Sequence, residues 1–299
     1  MVGSERGYLS QEGQRGPVQA GRSGPVAEAR RSRRLARLGA ALALVYPVAL
    51  GIRMSATRDA PPEDAGGAVS STSADQQDAL YQVPYNGRFT FARIRYGGGA
   101  SLRGWGRGGS SWAHDYPDAD RNIQLILDEF TSIPTNTEGS NVLELDDPRM
   151  FQHPLIYISE PGFWTITEEG ARNLRQYLLK GGFLIFDDFE ANQWYNMDAQ
   201  LARALPERQW VQLDESHPIF GSFFYVEDIY VPHPSVRVQP RYMAIFEDND
   251  PRKRVMVLAN HNSDLAEYWE WSTTAMFAVD PTNDAYRLGV NYIIYGLTH

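Results

Sequence analysis

Cysteine is absent from the 299 residues of this chain. Its absence excludes disulfides, thiolate zinc sites, iron–sulfur clusters and a cysteine nucleophile. Long apolar runs are also scarce: the run of residues 38–52 would extend only about 22 Å as a helix, short of a hydrocarbon core of roughly 30 Å. With 42% hydrophobic and 22% charged residues, the composition is that of a folded globular protein.

Positive charge is scarce outside the N-terminal region. Residues 1–58 contain ten Lys and Arg against three acidic residues, whereas the remainder contains 18 basic and 34 acidic residues. A body this acidic repels a phosphate backbone, so the charge pattern argues against a nucleic-acid partner.

The N-terminal region has the features of an export segment. Residues 1–57 combine a disordered basic stretch with an apolar run and small residues at Ala49–Gly51, which predicts a signal peptide or, if uncleaved, a membrane anchor. Ser32-Arg33-Arg34 leaves a twin-arginine route open beside the general one. We expect a periplasmic location or the outer face of the inner membrane. Residues 58–80 have linker composition, and residues 81–299 form the predicted folded domain.

A helix stop followed by an apolar run dominates the folded region. Thr167 is the predicted N-cap of a helix that ends at Gly181-Gly182, and Phe183–Phe186 then has the composition of a strand covered on both faces. Pro154–Ser159 is a second buried strand. The resulting strand, helix and strand predict a right-handed parallel crossover and an α/β three-layer sandwich with a mainly parallel central sheet.

Other strands and helices follow from apolar periodicity. Phe89–Arg95 alternates as a strand with one buried face does. Asp118 is a predicted N-cap, and the negative charges of Asp118 and Asp120 are predicted to interact favourably with the dipole of the helix that follows. Further strands are predicted at residues 141–145, 210–213, 242–246 and 254–260, and helices at residues 197–205 and 286–297.

Candidate site residues either follow predicted strands, whose carboxyl ends share one edge of a parallel sheet, or come from the polar and aromatic segment that precedes the helix at Asp118. The glycine-rich stretch 96–111 lacks a nucleotide-binding spacing and is predicted as a surface loop. The aromatic and amide side chains of residues 189–196 suit either saccharide contact or an ordinary loop. The candidates for the crevice are Trp112, His114, Asp115, Glu160, Asp187, Asp188, Trp194, His217, Asn260 and His261.

Several motifs together resemble one bacterial family. They are the Phe89–Arg95 strand, Trp112-x-x-Asp-x-Pro-x-Ala-Asp120, Phe151-x-x-Pro-Leu-Ile-Tyr157, Leu174-Arg-x-Tyr-Leu-x-x-Gly-Gly-Phe-Leu-x-x-Asp-Asp188, His217-Pro-x-Phe220 and Arg287-Leu-Gly-x-Asn291. The chain resembles domain-of-unknown-function family 4159. That resemblance implies a class I glutamine-amidotransferase-like, flavodoxin-like fold and no established activity. Amidotransferases of this fold use a Cys nucleophile, so the resemblance does not imply that activity here.

Two functional hypotheses follow. The favoured one is a non-catalytic, cofactor-free domain of the cell envelope that binds a protein or a saccharide. The alternative is a hydrolase that uses an acid/base pair or a divalent metal held by Asp115, Asp187, Asp188 and His217. Successive strand residues point to opposite faces, so only one of the two adjacent aspartates is expected to reach the crevice. The alternative is that one of them caps a neighbouring helix or loop while the other is solvated.

Overall fold

A computed structural model describes residues 82–97, 111–226 and 228–299. The predicted export segment, the predicted linker and most of the glycine-rich stretch lie outside these residues. The described residues form a seven-stranded sheet with helices packed against both faces. The predicted α/β class is therefore confirmed.

The seven strands appear where the sequence predicts them, although several are shorter. Phe89–Arg95 contributes only a three-residue strand and an isolated bridge from Phe89 to Thr135. Their order across the sheet is β2-β1-β3-β4-β7-β6-β5. The strands are β1 (Ala92–Ile94), β2 (Asn141–Leu143), β3 (Leu155–Ser159), β4 (Phe183–Phe189), β5 (Val211–Gln212), β6 (Arg241–Phe246) and β7 (Val255–His261).

The sheet is mixed, and the prediction of a mainly parallel sheet is wrong in this respect. Strands β1, β2, β3, β4 and β7 pair in parallel, whereas β6 runs antiparallel to both β5 and β7. The physical reason is the short acidic connection that begins at Glu247, since a parallel pair needs a crossover of a dozen or more residues. Strand β4 is central and parallel to both neighbours, as its uninterrupted burial requires.

Within residues 82–97, 111–226 and 228–299, five α-helices flank the sheet: α1 (Asp118–Phe130), α2 (Glu168–Leu179), α3 (Gln193–Ala204), α4 (Leu265–Glu270) and α5 (Val279–Thr298). Helices α1, α4 and α5 cover one face, and α2 and α3 cover the other. Helix α3 begins four residues before the predicted start, so part of the predicted aromatic loop is helical. None of the helices among the described residues has the length and hydrophobicity that a membrane crossing requires.

The entry into β4 depends on local chemistry. The Thr167 hydroxyl accepts a hydrogen bond from the Gly170 N–H at 2.8 Å, which caps α2 as predicted. At the other end Gly181 has φ +109°, a conformation that favours glycine. A Cβ atom on Gly182 would lie 2.3 Å from the Tyr177 ring, so this position also requires glycine. The helix therefore stops here, and the chain enters the centre of the sheet.

Candidate metal centre

A bulge at the end of β4 separates the two adjacent aspartates. Phe186 pairs with Ala259 and Phe189 with His261, so Asp187 and Asp188 together occupy the space of one residue on β7. Asp188 has φ +58°, and Phe186 and Phe189 both face the same core. A bulge of this kind redirects a side chain, and here it gives the two carboxylates different partners.

Asp187 holds the start of α4. Its carboxylate accepts hydrogen bonds from the Tyr157 hydroxyl at 2.9 Å, from Asn260 Nδ2 at 3.0 Å and from the Leu265 and Ala266 N–H groups at 2.9 and 3.3 Å. Burial, with a contribution from the charge of Asp188, raises the pKa of Asp187 to about 6 despite these donors. The predicted capping role of one aspartate therefore belongs to Asp187, which is turned away from solvent.

Asp188 pairs with two histidines. Its Oδ2 lies 2.8 Å from His114 Nδ1 and accepts a hydrogen bond from the Ser159 hydroxyl at 3.2 Å. His233 Nε2 lies 3.5 Å from Oδ1. Burial alone would raise the pKa of Asp188, but the hydrogen bonds and charges of the two histidines outweigh it and hold the pKa below its usual range. Asp188 is consequently ionised.

The loop that carries His114 and Asp115 is anchored by a buried arginine on β1. The Arg93 guanidinium donates to the carbonyls of Trp112 and His114 at 3.2 and 2.9 Å. It also forms an ion pair with Asp120, at 2.6 Å. Arg93 is 0% exposed, so the prediction that this strand has only one buried face is wrong. The alternation of apolar and polar residues did not predict this burial, because an arginine whose charge is fully paired can occupy an interior position.

Asp118 and Asp120 lie in the first turn of α1 as predicted, but Asp118 is not the N-cap. Helix α1 begins at Asp118 itself, after Pro117, and no side chain caps it. The predicted N-cap is therefore wrong by one position. Asp120 is buried, and it accepts a hydrogen bond from the Ser140 hydroxyl at 2.8 Å in addition to its ion pair with Arg93. Its main partner is a guanidinium rather than the helix dipole.

Three side chains meet Asp188, and the four together form the primary cluster. His114, Asp115, Asp188 and Asp264 each place one potential ligand atom within 4.8 Å of the others. Asp264 is also the N-cap of α4, where it accepts from the Glu267 N–H at 2.9 Å. Oxygen and imidazole donors of this kind bind divalent cations.

Asp115 has no hydrogen bond in this cluster. Both of its carboxylate oxygens are buried and without a hydrogen-bond partner, and His114 Nδ1 lies 3.4 Å from Oδ1. Its φ of +64° places the carboxylate there at a backbone position that few residues adopt. Buried polar atoms are almost always satisfied, so this carboxylate has the arrangement expected of a ligand.

The primary cluster is short of positive charge. Burial raises the pKa of Asp115 and of Asp264 well above the usual range, and the charge of Asp188 raises both further. Burial lowers the pKa of His114, but the neighbouring carboxylates of Asp115 and Asp188 outweigh burial and raise that pKa well above its usual value. A divalent cation among these ligands would remove the repulsion between the carboxylates.

His217 lies away from the primary cluster. Its Nδ1 accepts from the Ile219 N–H at 3.3 Å, and its ring packs against Phe246 and Tyr295. Phe246 pairs with Val255 at the start of β7. His217 therefore lies at the end of the sheet opposite to the one where β4 ends. Burial lowers the pKa of His217. The structure therefore does not bring it together with Asp115 and Asp188.

The aromatic candidates pack against one another. Trp194 and His261 contact each other and Phe189, with ring centroids 5.2 to 6.2 Å apart. His261 Nε2 lies 3.1 Å from the Ala191 carbonyl, and burial lowers the pKa of its ring. Trp112 is buried, with its ring 5.9 Å from that of Tyr116. These residues line the interior near the carboxyl edge but are not in the primary cluster.

Glu160 follows β3 and lies close to the primary cluster. It has φ +44°, and its backbone carbonyl accepts a hydrogen bond from the Tyr96 hydroxyl at 2.8 Å. Burial and then the charge of Asp188 raise the pKa of its carboxyl group to about 7. Glu160 therefore exchanges a proton near neutral pH.

Sequence reasoning missed His233, Glu267 and Glu270. His233 comes from a segment without apolar periodicity, and nothing local predicts that it faces Asp188. The spacing of Asp264 and Glu267 was an available signal, since a capping residue followed three positions later by Glu predicts a helix start. That helix is α4, and it presents Glu267 and Glu270 to Asp115.

The family model described as "Domain of unknown function (DUF4159)" matches residues 90–297. The match contains every residue of the primary cluster, together with Arg93 and Glu160. No curated protein matches the chain.

Proposed function

The chain belongs to the DUF4159 family, and we propose that it is a divalent-cation-dependent hydrolase. The cation ligands are His114, Asp115, Asp188 and Asp264. This is the alternative of the two sequence-based hypotheses, with His114 and Asp264 in place of Asp187 and His217.

The observation that carries the proposal is the buried Asp115 carboxylate without a hydrogen bond. Leaving a buried polar group unsatisfied costs about 1–3 kcal/mol, and more if the group is charged. A cation would give this carboxylate a partner and would also offset the negative charges of Asp188 and Asp264. The four ligands come from three distant chain segments, so local sequence does not account for their meeting.

The chemistry proposed is activation of water. A divalent cation held by these four residues would supply a coordinated water of lowered pKa for hydrolysis. The His114 side chain is 43% exposed, which leaves one side of the centre open to solvent and substrate. Glu160 is the proposed proton carrier: its carboxylate would accept a proton from the attacking water and would return that proton to the leaving group as the scissile bond breaks.

Three sequence-based expectations remain proposals beside this one. An amidotransferase-like fold is supported by the helices on both faces of the sheet and by a site at the carboxyl ends of parallel strands. Export is supported by the basic and apolar segments within residues 1–57. An envelope protein or saccharide partner rests on the same N-terminal features and on the aromatic residues near Trp194.

The test is cation-dependent stabilisation of the full chain after treatment with chelator. Manganese, magnesium, calcium and zinc are each added while thermal unfolding is followed. Binding at a hundred times the dissociation constant stabilises the native state by about 2.7 kcal/mol. We expect at least one cation to raise the melting temperature of the parent chain, and Asp115→Asn and Asp188→Asn to remove that increase.

A matched substitution controls for nonspecific binding to this acidic protein. Asp128 is exposed on α1, so Asp128→Asn should retain the full cation response. Hydrolysis of p-nitrophenyl acetate and p-nitrophenyl phosphate is then measured with the stabilising cation for the parent, Asp188→Asn and Asp128→Asn. Equal cation responses in the parent and in Asp188→Asn would reject the site, and binding without turnover of any ester or phosphoester would reject the hydrolase.

A further inference from the structure

We propose that the centre takes two divalent cations and that Asp115 bridges them. The inference rests on the proposed function and adds a second cation position, held by Asp115, Glu267 and Glu270. None of the sequence-based candidates includes the two glutamates.

Two ligand groups share Asp115. In addition to the primary cluster, Asp115, Glu267 and Glu270 each place a carboxylate oxygen within 4.8 Å of the others. Glu267 and Glu270 are three residues apart on α4, so both project from one face of that helix. The same short helix starts at Asp264, which belongs to the primary cluster, and it therefore connects the two groups.

The Asp115 carboxylate has one free oxygen for each position. Neither Oδ1 nor Oδ2 has a hydrogen-bond partner, and the side chain is 0% exposed. A single cation needs only one of these oxygens, whereas a bridging carboxylate uses both. Paired catalytic cations lie about 3.5–4 Å apart, which is a separation that one carboxylate can span.

Charge also favours two cations. When ionised, the two groups contain five carboxylates: Asp115, Asp188, Asp264, Glu267 and Glu270. One divalent cation offsets two of these five negative charges, and two cations offset four. Glu267 Oε2 lies 4.0 Å from His114 Nε2, so the second position is continuous with the first rather than a separate surface patch.

The second position has an open side. Glu270 lines a surface cleft of about 380 Å³ together with Arg121, Asn122 and Trp271. Water or a substrate oxygen can approach a cation at Glu270 from this cleft. Together with the exposed side of His114, this cleft would let a substrate oxygen reach the centre from solvent.

The experiment counts cations on the full chain. Metal-stripped protein is titrated with Mn²⁺ by calorimetry, and the electron paramagnetic resonance spectrum is recorded for the signal of coupled Mn²⁺ pairs. We expect two cations and a coupled signal in the parent chain. Glu267→Gln with Glu270→Gln should bind one cation without the coupled signal, and Asp115→Asn should lose the coupled signal as well.

The matched control is Glu129→Gln with Glu169→Gln, which removes two exposed carboxylates elsewhere. It should leave the number of bound cations and the coupled Mn²⁺ signal unchanged. One cation in the parent would overturn the second position and leave the proposed function standing. No cation in the parent would overturn both. Two cations in both the parent and the Glu267/Glu270 variant would overturn the assignment of the second position to these glutamates. Circular dichroism confirms that each variant is folded.

Discussion

The two neighbouring aspartates of β4 show how much one extra residue in a strand changes. Without the bulge, Asp188 would point away from Asp187 in regular alternation and Phe189 would leave its core. With it, Phe189 stays buried while Asp188 reaches His114 and Asp187 reaches the start of α4. The same residue type therefore supports the fold at one position and the candidate site at the next.

The first prediction compares Asp187→Asn with Asp188→Asn in the metal-free chain. All four partners of Asp187 are hydrogen-bond donors, so the amide nitrogen of an asparagine there would face a donor. We expect Asp187→Asn to lose about 2–3 kcal/mol of unfolding free energy. Asp188→Asn should lose less, because an asparagine oxygen in place of Oδ2 still accepts the hydrogen bond from the Ser159 hydroxyl. Urea denaturation measures the unfolding free energy of both variants. A larger loss for Asp188→Asn than for Asp187→Asn would contradict the assigned roles.

At the scale of elements, Arg93 connects β1 to α1 and to the loop before it. Its ion pair reaches Asp120 in the first turn of α1, and its other donors hold the carbonyls of Trp112 and His114. The guanidinium also lies 5.0 Å from the centre of the Tyr157 ring. The position of His114 thus depends on a side chain from another element.

The second prediction concerns this buried pair. Arg93→Met leaves Asp120 buried without its partner, so we expect a loss of about 3–5 kcal/mol in unfolding free energy. Combining it with Asp120→Leu should restore much of that loss. The double variant should still show a weaker cation-induced stabilisation than the parent, because the loop carbonyls keep no donor from Arg93. Urea denaturation with and without Mn²⁺ measures both effects.

Arg95 supplies the matched control from the same strand. Its ion pair with Glu144 is exposed at the surface, with side chains 36% and 56% exposed. Exposed pairs contribute at most about 1 kcal/mol, so Arg95→Met should have a small effect. Equal losses for Arg93→Met and Arg95→Met would contradict the structural importance of the buried pair.

At the scale of the whole molecule, local signals predicted the elements, and long-range pairing decided the site. The Thr167 cap, the Gly181-Gly182 stop and the apolar run after it were sufficient to place β4 in the centre of the sheet. By contrast, the alternating sequence around Arg93 is the same whether the Arg93 side chain is solvated or buried in an ion pair. Nothing local distinguishes these two cases.

The candidate site was only partly predictable for the same reason. The sequence-based candidates include His114, Asp115 and Asp188, which the structure brings together. Glu267 and Glu270 instead come from a helix of six residues, and His233 comes from an irregular segment. Their meeting depends on the strand order and on the bulge, neither of which a single sequence specifies.

The pH dependence of stability provides the last prediction, and it depends on a histidine outside the candidate site. His153 is buried between the Thr90 carbonyl, 3.3 Å from Nδ1, and Asn141 Nδ2, 3.3 Å from Nε2. Nδ1 therefore donates and Nε2 accepts, an arrangement that only the neutral ring satisfies.

Burial lowers the pKa of His153 below its usual value, so the folded state binds this proton less readily than the unfolded chain. The unfolded chain takes it up near pH 6.5. The contribution of the neutral ring is thus fully present above that pH and is lost as the pH falls toward the folded-state pKa, by up to about 1.4 kcal/mol per pH unit. His153→Asn keeps a donor for Thr90 but cannot titrate. We expect the variant to be less stable than the parent at pH 8, with a difference that narrows steadily by pH 5. Unfolding free energies from urea denaturation at both ends of this range test the prediction, and parallel pH curves for the two proteins would contradict it.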